Sequence, residues 1–285
     1  MERVVIVTGA GQGIGRAHAF AFAAEGVAVV VNDMGESADE VASEIRAQGG
    51  RAVASRGDVS DWAYGEQLVK TAVTEFGALH ALVNNAGLVR DRMLVNMSEQ
   101  EWDLVLKVDL KGHFVPMRHA ASYWRTLAKE GTPLEARVVN TSSGAGLMGS
   151  VGQGNYSAAK AGVVALTQVA AVEMSRFGVR LNAIAPAART PMTEAVFAET
   201  MAKPESGFDP MDPANVSPLV VWLASEDCDV TGRVFEVEAG IIAPADGWQH
   251  GPREDRGDRW PVADVGPAVR RLLDQAPEQV KPYGA

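Results

Sequence analysis

Apolar runs rich in valine and isoleucine alternate along the chain with segments in which apolar residues recur every three or four positions. The runs predict strands, the periodic segments predict helices, and their alternation is typical of a parallel sheet covered by helices. The predicted strands are Val4–Val7, Val27–Asn32, Arg51–Ser55, Ala81–Asn84, Arg137–Thr141, Arg180–Ala185 and Arg233–Glu238. The predicted helices are Ile14–Ala24, Ser37–Gln48, Trp62–Phe76, Glu99–Leu127, Ser157–Arg176 and Pro218–Ser225.

Strands that are apolar almost throughout belong in a sheet that is buried on both faces. The pattern therefore predicts an α/β fold: a doubly wound, Rossmann-type parallel sheet of about seven strands with helices on both faces. In such a sheet the ligand site lies at the carboxyl ends of the strands. Residues 1–243 form the predicted dinucleotide-binding and catalytic domain. Residues 244–285 are predicted to be a proline-rich C-terminal extension, not a separate domain, with one short helix near Val265–Gln275.

Composition narrows the partners and the compartment. The 285 residues, 47% hydrophobic and 22% charged, are ordinary for a globular protein. One cysteine, Cys228, excludes an internal disulfide and favours a reducing cytoplasm. No apolar run reaches the roughly 18 residues of a membrane span, so no membrane association is expected. A net charge of −10 argues against nucleic acid as a partner, and five scattered histidines without a Cys/His cluster predict no metal site.

The first strand runs into a glycine-rich loop, TGAGQGIG at residues 8–15, which opens a helix. Glycines in this context let backbone N–H groups approach a pyrophosphate at the helix N-terminus. The alternative is a tight strand–helix turn that binds nothing. The loop therefore predicts a dinucleotide site, with the cofactor contacts Gly9, Gly11, Gln12, Gly13, Ile14 and Gly15.

Two acidic residues at strand ends bear on the choice of cofactor. Asp33, at the end of the second strand, can accept hydrogen bonds from the adenosine ribose hydroxyls and would repel a 2′-phosphate, which favours NAD over NADP. Arg16 is the opposing signal, since a cation beside the loop can meet a 2′-phosphate. Asp58 and Val59 follow the third strand and are predicted to border the adenine ring, although Asp58 is equally well placed as a helix N-cap before Trp62.

The sequence YSAAK places Tyr156 and Lys160 four residues apart, so they share one face of a helix. A phenol ordinarily ionises near pH 10, too high for a base at neutral pH, and a neighbouring ammonium favours the phenolate. Tyr156 is therefore the predicted acid/base and Lys160 its activator. A surface helix face is the alternative for this motif alone.

These motifs, together with NNAG at residues 84–87, resemble the short-chain dehydrogenase/reductase family in its compact single-domain branch, from about Arg3 to Ala243. The resemblance implies an NAD- or NADP-dependent oxidoreductase acting on CH–OH groups. It selects Ser143, thirteen residues before Tyr156, as the group that holds the substrate oxygen. It also implies cofactor contacts from Asn85, Ala86, Gly87, Tyr156, Lys160, Pro186 and Thr190.

The sequence departs from the family pattern in two places. Asp109 in VDLKG stands where the family has the asparagine of V-N-L-x-G, a fourth catalytic residue that holds a water between the lysine and solvent. Aspartate can accept those hydrogen bonds but donates none unless it is protonated. The loop PAART, residues 186–190, is one residue shorter to its threonine than the common P-G-x-x-x-T, which makes the nicotinamide contact of Thr190 less secure.

The stretches NNAGLVRDR, EWDLVLKVDLKGHF, GQGNYSAAKAG and NAIAPAA resemble the (3R)-hydroxyacyl-CoA dehydrogenase module of peroxisomal multifunctional β-oxidation enzymes. This implies a 3-hydroxyacyl-CoA or another lipid or steroid alcohol as substrate. An NADPH-dependent 3-oxoacyl-thioester reductase and a catalytically silent dinucleotide-binding regulator are the alternatives. Candidate contacts to a CoA moiety are Arg90, Arg92 and Arg189, unless each is an ordinary surface ion-pair residue.

An apolar small-molecule substrate is also predicted from apolar residues near the site, which would otherwise be ordinary core. They are Leu147, Met148 and Val151, and in the connection 187–215 Met192, Phe197, Met201, Pro204, Phe208 and Met211. The Ser157–Arg176 helix presents the small residues Ala158, Ala161, Gly162 and Ala165. The resemblance implies a homodimer or homotetramer built on this helix and on Glu99–Leu127, packing within one subunit being the alternative.

Overall fold

The computed structural model describes residues 3–191, 201–245, 247–278 and 280–285. Within them the chain forms an eight-stranded sheet in the order β3-β2-β1-β4-β5-β6-β7-β8. The first seven strands are parallel and β8 is antiparallel to β7. The strands are β1 Val4–Val7, β2 Ala28–Asp33, β3 Ala52–Arg56, β4 Ala81–Asn84, β5 Ala136–Thr141, β6 Val179–Ala187, β7 Val234–Glu238 and β8 Ile241–Pro244.

The doubly wound α/β sheet predicted from sequence is confirmed, with β8 as an unpredicted addition. Ala239 turns the chain with φ 47°, and β8 returns along β7 as an edge strand. Only four residues long, exposed at Ile241 and Ile242 and ending in proline, β8 lacks the buried apolar run that marks the other strands. Proline is tolerated at a sheet edge because no neighbouring strand needs its N–H.

Nine α-helices lie in the described part of the chain. They are α1 Gly13–Ala24, α2 Ser37–Ala47, α3 Trp62–Phe76, α4 Glu99–Val105, α5 Gly112–Lys129, α6 Gly144–Met148, α7 Gly154–Met174, α8 Ser217–Leu223 and α9 Val262–Gln275. The short helix predicted in the C-terminal extension is present as α9. None of the described helices is both long and apolar enough to cross a membrane.

The predicted continuous helix Glu99–Leu127 is wrong in its middle. A π-helical segment, Leu106–Lys111, separates α4 from α5 and contains Asp109. Pro116 follows inside α5 and has no N–H to donate, so the helical hydrogen bonding is weakened just after this segment. Single π turns inside helices occur frequently at functional sites, because they turn a side chain away from the regular helical face.

Both faces of the sheet are buried, because consecutive residues of the central strands are apolar and their side chains point alternately to the two faces. Val5, Val7, Val29 and Val31 pack with α1, α2 and α8 on one face. Val4, Ile6, Ala28 and Val30 pack with residues of α3, α5 and α7 on the other. Successive strand side chains point to opposite faces, so each half of the pattern supplies one core.

The strand order reverses between β1 and β4, since the chain first builds β1, β2 and β3 outward and then returns to the other side of β1. This reversal opens a crevice at the carboxyl ends of β1 and β4, the position at which doubly wound sheets bind ligands. The loops after β1, β4 and β5 contain the glycine loop, the NNAG motif and Ser143 respectively.

Candidate active site

The glycine loop is compact to a degree that side chains would prevent. Gly9 has φ +61°, and a Cβ added there would lie 2.7 Å from the Cα atom of Ala86. A Cβ at Gly15 would lie 2.2 Å from the carbonyl oxygen of Gly9. Gly13 also has a positive φ, +55°. Glycine is therefore required by backbone approach at Gly9 and Gly15, and by conformation at Gly9 and Gly13.

The NNAG motif fastens this loop to β4. The Oγ1 atom of Thr8 accepts hydrogen bonds from the N–H groups of Asn85 (2.9 Å) and Ala86 (3.1 Å). The Asn85 side chain donates to the carbonyl oxygens of Thr8 (3.1 Å) and Gly9 (3.2 Å). Thr8 was not singled out from sequence as a functional residue. Its only signal is a hydroxyl at the end of the first strand, directly before the glycines.

The residues at the start of α1 fit a bound dinucleotide. Gln12 is exposed at the N-cap position, and its side chain makes no capping hydrogen bond among the described residues. The first N–H groups of α1 are thus left to an anionic ligand such as a pyrophosphate. Ile14 packs against the core, so its side chain holds α1 in place while its backbone belongs to the loop.

Asp33 lies at the end of β2 with its carboxylate beside the loop. One oxygen accepts from the N–H of Gly11 (3.0 Å) and the other from the N–H of Met34 (2.7 Å). Arg16 is directed elsewhere: it pairs with Glu44 of α2 at 2.5 Å, and its guanidinium lies 4.6 Å from the ring centre of Phe20. The cation suggested for a 2′-phosphate is therefore already engaged by a carboxylate.

Asp58 does not cap α3. Asp61 does, accepting from the N–H of Tyr64 at 2.7 Å, so the N-cap interpretation of Asp58 was wrong. Asp58 instead accepts from the N–H and hydroxyl of Ser60 and pairs with Lys107 at 3.0 Å. Burial pushes the pKa of Asp58 upward, but the bonds from Ser60 and Lys107 outweigh it and leave the pKa below its ordinary value.

Val59, the other residue assigned to the adenine side, is buried against the start of α5. A Cβ added at Gly112 would lie 2.9 Å from the Cγ2 atom of Val59. This contact sets how closely the loop after β3 approaches the π-helical segment. Val59 is thus a packing residue in the described structure, next to the partly exposed Asp58.

Tyr156, Lys160 and Asp109 are brought together, although Asp109 lies in a different helical stretch. The Nζ atom of Lys160 lies 5.5 Å from the ring centre of Tyr156 and 3.3 Å from Oδ1 of Asp109. It also donates to the carbonyl oxygen of Thr141 at 2.9 Å. Lys160 and Asp109 are both buried, with side chains 3% and 0% exposed, so their ion pair is screened little by solvent.

Asp109 joins Lys160 to the NNAG side of the crevice. The N–H of Leu88 donates to both of its carboxylate oxygens, at 3.3 and 3.1 Å. A Cβ added at Gly87 would lie 2.6 Å from Oδ1 of Asp109, so the glycine of NNAG makes room for this carboxylate. Burial raises the pKa of Asp109, and Lys160 and the Leu88 N–H offset only part of that effect. The carboxyl therefore takes up a proton more readily than an ordinary aspartate does.

Ser143 lies two residues after the end of β5 and is the N-cap residue of α6. Its Oγ accepts from the N–H of Ala145 at 3.2 Å, and its side chain is half-buried. The neighbouring Ser142 is buried and donates to the carbonyl oxygen of Lys160 at 2.9 Å, which fastens α7 to the end of β5. Ser143 is thus partly exposed, whereas Ser142 is buried and has a structural role.

Asn155, not singled out from sequence, positions Tyr156. It is fully buried, its side chain donates to the carbonyl oxygens of Arg90 (3.1 Å) and Glu101 (3.3 Å), and it accepts from the N–H of Tyr156 at 2.8 Å. Helix α7 begins at Gly154, three residues before the predicted start, so Tyr156 lies in its first turn. No periodic signal distinguishes a single buried asparagine at a helix start.

The connection after β6 places Thr190 against the glycine loop. A Cβ added at Gly13 would lie 3.3 Å from the Cγ2 atom of Thr190. Pro186 lies within β6, paired with Val237 of β7. Arg189 forms an ion pair with Asp209 and donates to the carbonyl oxygen of Met201, which makes it a structural residue of this connection. Met192 and Phe197, two of the apolar residues named in the connection 187–215, lie outside the described residues.

The other candidate CoA ligands also have partners within the chain. Arg92 pairs with Glu101 at 3.0 Å, and the guanidinium of Arg90 donates to the carbonyl oxygen of Val89 at 2.7 Å. Apolar side chains are exposed on two segments that pair at Arg92 and Gln153, and these residues are Met93, Leu94, Met148 and Val151. Phe208, in the connection after β6, is exposed as well.

The arrangement can hold a dinucleotide across the strand ends and move a proton beside it. Lys160 and Asp109 adjoin the NNAG motif at Gly87, Tyr156 lies beside Lys160, and Ser143 lies two residues after the end of β5. A group that loses a hydride and a proton together, such as a secondary alcohol, suits this combination.

Comparisons with known proteins agree with this chemistry. A protein-family model described as short chain dehydrogenase matches residues 3–200. Hydroxyacyl-CoA dehydrogenase ChsB1 of Mycobacterium tuberculosis is 47% identical over 254 residues, covering 85% of this chain and 80% of that protein. Peroxisomal multifunctional enzyme type 2 of Mus musculus is 43% identical over 250 residues, covering 84% of this chain but only 32% of that protein. The crystal structure of a short chain dehydrogenase from Mycobacterium avium superposes with a TM-score of 0.91 at 56% identity, over 99% of this chain and 98% of that one.

Proposed function

The chain belongs to the short-chain dehydrogenase/reductase family, as its motifs predicted, and is an NAD(P)-dependent oxidoreductase acting on CH–OH groups; we propose that its substrate is a 3-hydroxyacyl-CoA and its cofactor NAD. The observation that carries the proposal is the buried Lys160–Asp109 pair beside Tyr156, at the carboxyl ends of the strands. At the same ends of the strands, Asp33 accepts a hydrogen bond from the glycine loop. The printed names of the two relatives support a hydroxyacyl thioester in particular.

In the proposed mechanism Tyr156, as phenolate, takes the proton of the substrate hydroxyl while the hydride leaves the same carbon and a C=O bond forms. A bound NAD⁺ supplies the hydride acceptor. The Ser143 hydroxyl holds the substrate oxygen, and the Lys160 ammonium stabilises the phenolate. The proton taken up by Tyr156 would leave to solvent through the relay position beside Lys160, where Asp109 lies 3.3 Å from the Nζ atom of that lysine.

Asp33 supports NAD over NADP because a 2′-phosphate would meet its carboxylate at the end of β2. Arg16 pairs with Glu44, so a 2′-phosphate would have to compete with that carboxylate for the guanidinium, which adds support for NAD. The exposed apolar side chains Met93, Leu94, Met148 and Val151, on the two segments that pair at Arg92 and Gln153, support an acyl chain or another lipid alcohol as substrate over a small polar alcohol.

The test is a substrate screen run with NAD⁺ and NADP⁺ in parallel, together with NADH and NADPH titrations. We expect 3-hydroxyacyl-CoA oxidation with NAD⁺ and tighter binding of NADH. Equal or better NADPH binding would contradict the cofactor assignment and favour a 3-oxoacyl-thioester reductase. Cofactor binding without turnover of any alcohol or ketone would favour a regulator.

A homodimer or homotetramer built on α5 and α7 is part of the proposal. Ala161, Ala165, Val169 and Val172 form an exposed stripe of small and apolar residues along α7. Gly162, by contrast, packs within the chain, since a Cβ there would lie 3.1 Å from Leu110. Light scattering is expected to give a multiple of the 30.2 kDa chain mass, and a monomer mass would refute this part.

A further inference from the structure

The last residues of the chain return to the loop between Ser143 and Tyr156. The N–H of Tyr283 donates to the carbonyl oxygen of Gly149 (3.1 Å), and the N–H of Val151 donates to the carbonyl oxygen of Tyr283 (2.9 Å). Tyr283 thereby forms a parallel bridge with Ser150. A segment more than a hundred residues away in sequence is thus paired with the loop that connects two catalytic residues.

The ring of Tyr283 lies over the residue that follows Ser143. A Cβ added at Gly144 would lie 3.1 Å from both Cε2 and Oη of Tyr283, so the absence of a side chain there lets the ring approach closely. Tyr283 as a whole residue remains 52% exposed. An aromatic surface with a hydroxyl is therefore left open beside the group assigned to hold the substrate oxygen.

This contact is not a by-product of core packing. Among the described residues of α9, Ala268 alone is buried, and the tail contributes little else to the core. The loop also has an anchor on another segment: the N–H of Arg92 donates to the carbonyl oxygen of Gly152 (2.7 Å), and Gln153 donates to Asp91 (3.0 Å). Besides its two backbone hydrogen bonds, the segment around Tyr283 adds a partly exposed aromatic side chain to this loop.

We propose that Tyr283 is a specificity-determining residue whose ring forms a wall of the substrate site and contacts the apolar part of the substrate. The proposal rests on the hydride-transfer function assigned to Tyr156 and Ser143. Aromatic rings suit this role, since they offer a large rigid apolar face together with one polar tip. The shape of the chain terminus would then select among substrates that the common catalytic residues treat alike.

The first test is steady-state kinetics of the full-length variants Tyr283→Ala, Tyr283→Phe and Val280→Ala with short- and long-chain 3-hydroxyacyl-CoA. Val280 is an exposed residue of the same tail and serves as the matched control. Loss of the ring is expected to raise KM for the long-chain substrate about five- to tenfold. Tyr283→Phe should stay close to the parent, and NADH affinity should not change. A Tyr283→Ala profile that matches Val280→Ala for both substrates would overturn the proposal.

A second measurement needs no turnover and separates this proposal from the function on which it rests. Hydrogen exchange at the Val151 amide should be about tenfold faster or more when Pro282–Ala285 are deleted, because its acceptor is lost. Unchanged exchange would show that the terminus does not dock and would sink the proposal whatever the substrate. If no acyl-CoA is turned over, the kinetic comparison is made on the best alcohol of the screen, where equal KM values would again overturn it.

Discussion

The proposed cofactor side of the crevice and its proposed substrate side are built by different means. On the cofactor side, the glycine loop and NNAG are tied together by backbone groups and by the Thr8 hydroxyl, and added Cβ atoms at Gly9 or Gly15 would collide with main chain. On the substrate side, the loop 143–156 is bordered by segments from remote parts of the sequence, and Met148, Val151 and Tyr283 are exposed.

The difference shows where the fold leaves room for change. Where the backbone must approach a ligand or another part of the main chain closely, only glycine fits. The cofactor side is therefore restricted to a fixed sequence motif. A surface assembled from side chains on separate segments permits many residue types at each position. Substrate preference can therefore vary while the cofactor side remains the same. Tyr156, Lys160 and Asp109 lie between the two sides.

The largest expected effect is the loss of turnover in a variant of Tyr156, which lies between the two sides. Tyr156→Phe keeps the ring and removes only the proton carrier, so turnover is expected to fall about 10²–10⁴-fold. Folding and NADH affinity should survive, because the substitution keeps the aromatic ring and removes only its hydroxyl. Steady-state rates and an NADH fluorescence titration check both parts. Activity within a few-fold of the parent would remove Tyr156 from the mechanism.

The next effect tests the rigidity of the cofactor side. Gly15→Ala would place a Cβ 2.2 Å from the carbonyl oxygen of Gly9, which forces the loop open. NADH affinity is expected to fall about tenfold or more, since the N–H groups at the start of α1 are displaced from the pyrophosphate. Gly240→Ala is the matched control, because a Cβ there meets nothing within 4 Å. Equal NADH affinity in the two variants would show that the loop adapts.

The same division explains what the sequence could predict. The sheet, the helix with Tyr156 and Lys160, and the glycine loop follow from periodicity and from glycines at fixed spacing, which are local properties. The π-helical segment at Asp109 was missed because apolar spacing does not distinguish a single widened turn from a regular helix. The docking of Tyr283 was missed because it depends on a contact between Gly149 and a residue 134 positions later, and no local pattern encodes such a contact. Thr8 and Asn155 act through hydrogen bonds that become visible only once their partners are placed.

The smallest effect is expected at Asp109, whose carboxylate contacts both sides. When ionised, it lies 3.3 Å from the Lys160 ammonium and cancels part of the positive charge that favours the Tyr156 phenolate. Asp109→Asn keeps the volume, removes that charge and leaves the ammonium to act on Tyr156 without opposition. The rising limb of the pH–rate profile for alcohol oxidation should therefore move to lower pH, by up to about one unit.

The fold of the Asp109→Asn variant should persist, because Lys160 retains its bond to the Thr141 carbonyl and the amide oxygen of the new side chain can still accept from Lys160. Asp103→Asn is the matched control, because it removes the same charge at a solvent-exposed position of α4. This variant should leave the pH–rate profile unchanged. A limb that moves to higher pH would mean that Lys160 loses its proton once its partner is gone, and superimposable profiles would reduce Asp109 to a structural residue of the π-helical segment.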